Sequence, residues 1–124
     1  MLKDNFFTIK NIFQETVQQY QIEIDLNSQH PIYDGHFPGT PVMPGVCQIE
    51  MVKEVLEEIL ERSLYLSESK NIKFTNPIDP RQTTSLVLKL EFEEKNKNIW
   101  TKASLFAQEE VCLKFSGVFR VESQ

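Results

Sequence analysis

Between Val46 and Leu60 the apolar residues Val46, Ile49, Val52, Leu56, Ile59 and Leu60 return at helical spacing. Lys53, Glu54, Glu57, Glu58 and Glu61 fall mostly on the other side. This pattern predicts a helix of about four turns at 3.6 residues each, with one face that has to be packed against apolar material. Arg62 follows at the end, where a cation suits the negative pole of the helix dipole. The rest of the chain must supply the cover for that face.

Most of the remaining residues read as strand. Within residues 17–26, Tyr20, Ile22, Ile24 and Leu26 alternate with Gln19, Gln21, Glu23 and Asp25, the period of a strand with one buried face. Asn27-Ser28-Gln29 ends it in turn chemistry. Phe6 to Ile9 reads as a short strand and Asn11 to Gln14 as a turn or loop. After the helix come Ile72 to Thr75, halted by Asn76-Pro77, and a turn at Asp79-Pro80-Arg81-Gln82. Leu86, Leu88, Leu90 and Phe92 share one face of residues 85–93. Lys95 to Asn98 reads as a hairpin connection, followed by strands over 99–106 and 111–121 with a tight turn at Gln108-Glu109-Glu110. One long helix and about five antiparallel strands in a single domain have few compact arrangements. The expected one is α+β, with a curved antiparallel sheet wrapped around a long central helix over residues 1–124.

Charge limits the partners. A net charge of −5 and a pI near 5.0 argue against nucleic-acid binding, which needs basic surface. Neither a signal peptide nor an apolar run of about 18 residues stands in the chain, so a cytoplasmic protein with no membrane span is expected. Cys47 and Cys112 lie in apolar contexts and read as reduced core residues. With His36 and Glu50 they lack the spacing of a zinc set, so no metal is expected.

The stretch from His30 to Glu50 holds both histidines, three of the four glycines and four of the six prolines. Pro38, Pro41 and Pro44 recur every third residue, the period of polyproline II. A stiff, irregular track is expected, with Pro44-Gly45 opening the helix. His30, before Pro31, reads as a turn residue. A rigid loop carrying His36, a helix N-terminus and then Glu50 together form the candidate site. Cys47, near that N-terminus, reads better as a small buried residue than as a nucleophile paired with His36.

The run Gly35-His36-Phe37-Pro38-Gly39-Thr40-Pro41-Val42-Met43-Pro44-Gly45-Val46, followed by Glu50, resembles the signature of the 3-hydroxyacyl-(acyl carrier protein) dehydratases of the FabZ/FabA type, which have the hot-dog fold. Pro31-Ile32-Tyr33-Asp34 and Ile72 to Pro80 sit where that family has similar segments, so the resemblance spans residues 20–121. It implies His36 and Glu50 as catalytic residues, the Gly45 N–H as donor to the thioester carbonyl, and Phe37, Met43 and Val46 as substrate-binding residues. It implies a substrate carried on the phosphopantetheine arm of acyl carrier protein, and no cofactor. It also implies a homodimer or a trimer of dimers, with His36 of one subunit meeting Glu50 of the next. An extended track rising about 3.1 Å per residue would carry His36 away from its own helix, which agrees with a shared site.

Three departures from the family pattern stand out. The segment before Tyr20 does not match the family's longer N-terminal region, and Pro80-Arg81-Gln82 replaces a proline-glycine-acid turn. Glu54 stands where the family usually has glutamine, and its charge is expected to raise the pKa of Glu50 one turn away. Lys70, Lys73 and Arg81 are the candidate docking residues for an acidic carrier. A hot-dog thioesterase and a non-catalytic acyl-binding subunit are the competing uses of such a chain.

Overall fold

The computed structural model describes residues 1–34, 39 and 41–122. Six strands and one long helix follow in the order β1 (Phe7–Gln14), β2 (Gln19–Leu26), α1 (Gly45–Leu60), β3 (Leu64–Phe74), β4 (Ser85–Lys95), β5 (Asn98–Ala107) and β6 (Glu110–Val121). A short 3-10 turn, Pro31–Tyr33, precedes the helix. All strand pairs are antiparallel, and the sheet runs β1-β2-β4-β5-β6-β3. The helix is inserted in sequence between β2 and β3, the latter being an edge strand.

Alternation explains why the sheet covers the helix. Ile22 pairs with Leu88 and Ile24 with Leu86, while Leu88 meets Leu105 and Leu105 meets Leu113 on the following strands. All six are closed to solvent or nearly so, and they join Met51, Val52, Val55 and Leu56 of α1 in one core cluster. Fully burying one side chain of this size contributes about 1.5–3 kcal/mol. This layer holds the helix against the sheet.

Two hairpins set the register of β4, β5 and β6. Asn96 and Lys97 (φ 54° and 67°) join β4 to β5, and Gln108 and Glu109 (φ 50° and 69°) join β5 to β6. Two central residues with positive φ match the right-handed twist of the flanking strands. In the β3–β6 pair the register shifts twice, between Leu66 and Glu68 and between Ser69 and Asn71. Gly117 lies under the first shift, where an added Cβ would come within 2.8 Å of the Glu68 carbonyl oxygen.

Several expectations need correction. The strand at the N-terminus runs through Gln14, because Asn11 to Gln14 pair with β2 rather than turning. Its partner starts at Gln19, and Val17 sits exposed in the connection. β3 begins at Leu64, eight residues before the expected Ile72, since its polar middle follows the edge of the sheet and shows little alternation. On α1 the buried set is Cys47, Gln48, Met51, Val52, Glu54, Val55 and Leu56. The core face is therefore turned from the expected stripe, leaving Val46 78% exposed and Glu54 only 1% exposed. The Arg62 side chain does not serve the helix end: it makes two hydrogen bonds to Glu94, at 2.6 and 3.0 Å, while its backbone N–H donates to the Glu57 carbonyl at 3.4 Å.

Candidate active site

Pro44 is the N-cap of α1, with φ −60° and ψ 144°, and among the described residues no side chain caps the helix. Its carbonyl accepts from the Cys47 and Gln48 amides at 3.0 and 3.1 Å. The preceding Gly45 and Val46 N–H groups lie at the helix start, where no earlier turn supplies carbonyls, so they are available to an outside acceptor. The incoming chain is fixed by Met43, whose N–H donates to the Ile78 carbonyl (2.9 Å) and whose carbonyl accepts from Gln48 Nε2 (3.3 Å).

From this N-terminus a groove of ≈ 660 Å³ runs between α1 and β3. Gly45, Val46, Ile49, Glu50 and Lys53 form the helix wall, with Leu64, Leu66, Ile72, Phe74 and Phe119 on the sheet side. Gly45 lets the Phe74 ring approach closely there, since an added Cβ would lie 2.6 Å from its Cζ and the ring would have to shift. The groove is mostly apolar, with Glu50 as an acid on its wall.

Glu50 is held toward its protonated form. Burial is the main cause, and the neighbouring Glu54 carboxylate pushes the same way. Lys53 opposes them, with Nζ 3.3 Å from Glu50 Oε2. The Glu50 side chain retains 38% exposure, so it faces the groove rather than the core. Sequence reasoning assigned the direction correctly but placed Glu54 on the solvent side. Glu54 is buried, and its carboxylate accepts from the amides of Leu2 (2.9 Å) and Lys3 (2.8 Å).

The remaining candidates separate. Val46 and Gly45 line the groove with Glu50, whereas Met43 is 1% exposed in the core and is not part of the groove wall. His36 and Phe37 lie outside the described residues. His30 is structural: its Nδ1 accepts from the Ile32 amide at 3.1 Å, and its ring meets Phe6 edge-on. Cys47 and Cys112 are free and buried, and burial raises both thiols. Gln48 was missed. Its only sequence signal is an amide two residues before the acid, and it anchors the loop at Met43.

Of the proposed docking cations, Lys70 pairs with Glu68 (3.0 Å) and sits over the Trp100 ring, while Arg81 pairs with Asp79 (3.1 Å). Among the described residues no group of three His, Cys, Asp or Glu side chains is placed to hold a metal, and no helix is long and apolar enough to cross a membrane.

The chain is 34% identical over 85 residues to a 3-hydroxyacyl-[acyl-carrier-protein] dehydratase FabZ of Novosphingobium aromaticivorans, covering 61% of this chain and 51% of that protein. The protein of the same name in Caulobacter vibrioides is 33% identical over 100 residues, with coverage of 73% and 54%. The chain thus spans about half the length of these curated relatives. Among solved structures, the dehydratase heterocomplex ApeI:P of Xenorhabdus doucetiae aligns with a TM-score of 0.72 at 23% identity, over 90% of this chain and 96% of that one. A hypothetical thioesterase with coenzyme A from Streptococcus pneumoniae aligns with a TM-score of 0.64 at 10% identity, over 95% and 87%. These likenesses establish the hot-dog fold. The ApeI dehydratase model matches residues 13–115, and the chain belongs to the ApeI-like dehydratase family.

Proposed function

We propose that this chain removes water from a 3-hydroxyacyl thioester carried on acyl carrier protein, giving the 2-enoyl thioester in the cytoplasm. One observation carries the reading: Glu50, held toward its neutral form, stands on the wall of an apolar groove that opens at an uncapped helix N-terminus. The reaction needs three things, and this arrangement supplies two of them. A protonated carboxylic acid gives its proton to the departing hydroxyl, which leaves as water. Amide hydrogens at the start of α1, Gly45 first, hold the thioester oxygen as it gains negative charge. The base that takes the α-proton is assigned to His36 by the family motif, as neutral imidazole.

The reading also assigns the site to a pair of subunits. β3 is an 11-residue edge strand with exposed Tyr65, Ile72 and Phe74 beside the groove. An edge of that length and character is a template for pairing with another chain. A dimer formed there brings a second copy up to the groove, so that His36 can come from the partner.

The test is direct. The pure protein is mixed with a 3-hydroxyacyl thioester on acyl carrier protein, and the products are separated. Formation of the 2-enoyl thioester, lost in Glu50→Gln and in His36→Ala, supports the proposal. Release of the free acid instead, or no reaction, overturns it.

A further inference from the structure

Glu54 is one of four polar or charged residues buried within the described chain, yet the reaction above gives it no step. It lies one turn beyond Glu50 on α1. Its two oxygens are taken up by the N-terminal segment: Oε1 accepts from the amides of Leu2 (2.9 Å) and Lys3 (2.8 Å), and Oε2 also from Leu2 (2.9 Å). Backbone amides can only donate, so the Glu54 site favours the ionised carboxylate. Glu50 has no such donors from the main chain among the described residues; only the Lys53 ammonium stands beside it.

We propose that Glu54 is a positioning residue for the acid: clamped as a carboxylate by the Leu2 and Lys3 amides, it accepts the hydrogen bond of the Glu50 carboxyl and keeps the pair's single proton on Glu50. When two neighbouring carboxyls sit in unequal surroundings, they divide into one acid and one anion. Here the inequality comes from a segment, residues 1–6, that contributes nothing to the groove wall. Once Glu50 has given up its proton, two adjacent carboxylates remain. Their repulsion favours the return of a proton to Glu50, since Glu54 is held by its donors.

The charges around the pair come from three elements. On α1, Lys53 lies beside Glu50, and Glu57 and Glu58 follow; Cys47 lies one turn before it. From the N-terminal segment come the Met1 ammonium, Lys3, which pairs with Glu58 at 2.8 Å, and Asp4. Across the groove stand Tyr65 and Glu122. Among the described residues Lys53 is the one cation beside Glu50, and it acts against the proposal. Burial of Glu54 also opposes its ionisation, but the neighbouring Glu50 carboxyl and the Leu2 and Lys3 amides outweigh it, and Glu54 falls below its ordinary value while Glu50 rises.

The functional meaning rests on the dehydratase reading, but the coupling can be measured without activity. Protein labelled with ¹³C at the glutamate carboxyls is titrated, and the Glu50 and Glu54 signals are assigned by substitution. In the wild type Glu50 is expected to titrate above Glu54, and Glu54→Gln lowers the Glu50 midpoint. In the dehydration assay the alkaline limb of kcat/KM moves to lower pH in the same variant, because an acid with a lower pKa is lost sooner. Lys3→Pro removes one clamping amide, whereas Lys3→Ala removes only the ion pair with Glu58. The proline variant is expected to make both carboxyl signals move in the same titration step, and the alanine variant is not.

An unchanged Glu50 midpoint in Glu54→Gln, or a wild type in which Glu54 holds the upper proton, overturns the proposal. If Glu54→Gln does not fold, the Lys3 pair decides, and identical titrations for the two variants overturn it. If the coupling appears but no enoyl product forms, the dehydratase reading fails and the coupling stands.

Discussion

Met51, Val52, Val55 and Leu56 are sealed from solvent, whereas Val46, Ile49, Glu50 and Lys53 of the same helix stand on the wall of an open groove. The first set meets the inner face of the sheet and does the work of folding. The second set mixes Val46 and Ile49 with the charged Glu50 and Lys53, and it borders an open groove of ≈ 660 Å³. A helix that needed only to be stable would place polar residues at Val46 and Ile49 as well. Apolar surface left open beside the Glu50 carboxyl is instead what a greasy substrate and a proton donor would require. On the proposed function, stability and catalysis are divided between two faces of α1, and substitutions on the two should have opposite signatures.

The largest effect expected is Glu50→Gln. Removing the acid should lower kcat/KM for dehydration by about 10²–10⁴-fold. The fold should be nearly indifferent, with stability changed by less than about 0.5 kcal/mol, since no core contact is lost. Enoyl formation and urea denaturation on the same preparation check both halves. Leu56→Ala should do the reverse, costing about 2–5 kcal/mol of stability through the cavity it leaves. Turnover per folded molecule should be retained below the melting transition. A Leu56 variant that is stable but inactive would break the division of the helix.

How far the sequence revealed this division depends on the element. The central strands were legible because each has one wet and one dry face, as in Ile22, Ile24, Leu86, Leu88 and Leu90. β1 and β3 were read short because both lie at edges of the sheet, where Asn11, Asn71 and Lys73 carry backbone pairing without burial. α1 was found at its true length, but with its core face misassigned. Its apolar residues cover two faces, and composition alone does not say which one meets the sheet. Glu50 was proposed from its spacing to His36, a property of the motif. Glu54 looked like one more solvated glutamate among Glu57, Glu58 and Glu61. Only the fold brings Leu2 and Lys3, fifty residues away in sequence, against it.

Acidity should sharpen the contrast between the two carboxyls. Glu54 is lowered in the fold from its ordinary 4.5, so its stabilisation is present above that pH and fades as pH falls through the folded value. Glu50 is raised, so its contribution is present below 4.5 and fades as pH rises through the folded value. The stability gap between wild type and Glu54→Gln should therefore shrink on acidification. Relative to Glu50→Gln, the wild type should lose stability as pH rises. Denaturation midpoints across the acid range check both slopes, and two slopes of the same sign would show that the carboxyls do not divide as described.

Gly45→Ala should give the smallest change in stability and tests where the groove ends. Gly45 has no need of a positive φ, so the backbone accepts alanine, and replacing glycine in a compatible conformation typically gains about 0.4–1 kcal/mol. Against this, the new Cβ would fall 2.6 Å from Cζ and 3.0–3.2 Å from both Cε atoms of Phe74. That ring is 51% exposed, so it can swing away at little cost to the core. The two terms nearly cancel, and the melting midpoint should hardly move. The displaced ring, however, sits at the helix N-terminus where the thioester oxygen is to be held, so KM should rise more than kcat falls. A loss of stability as large as that of Leu56→Ala would mean that the groove face is packed like the core, and the functional division of α1 would have to be abandoned.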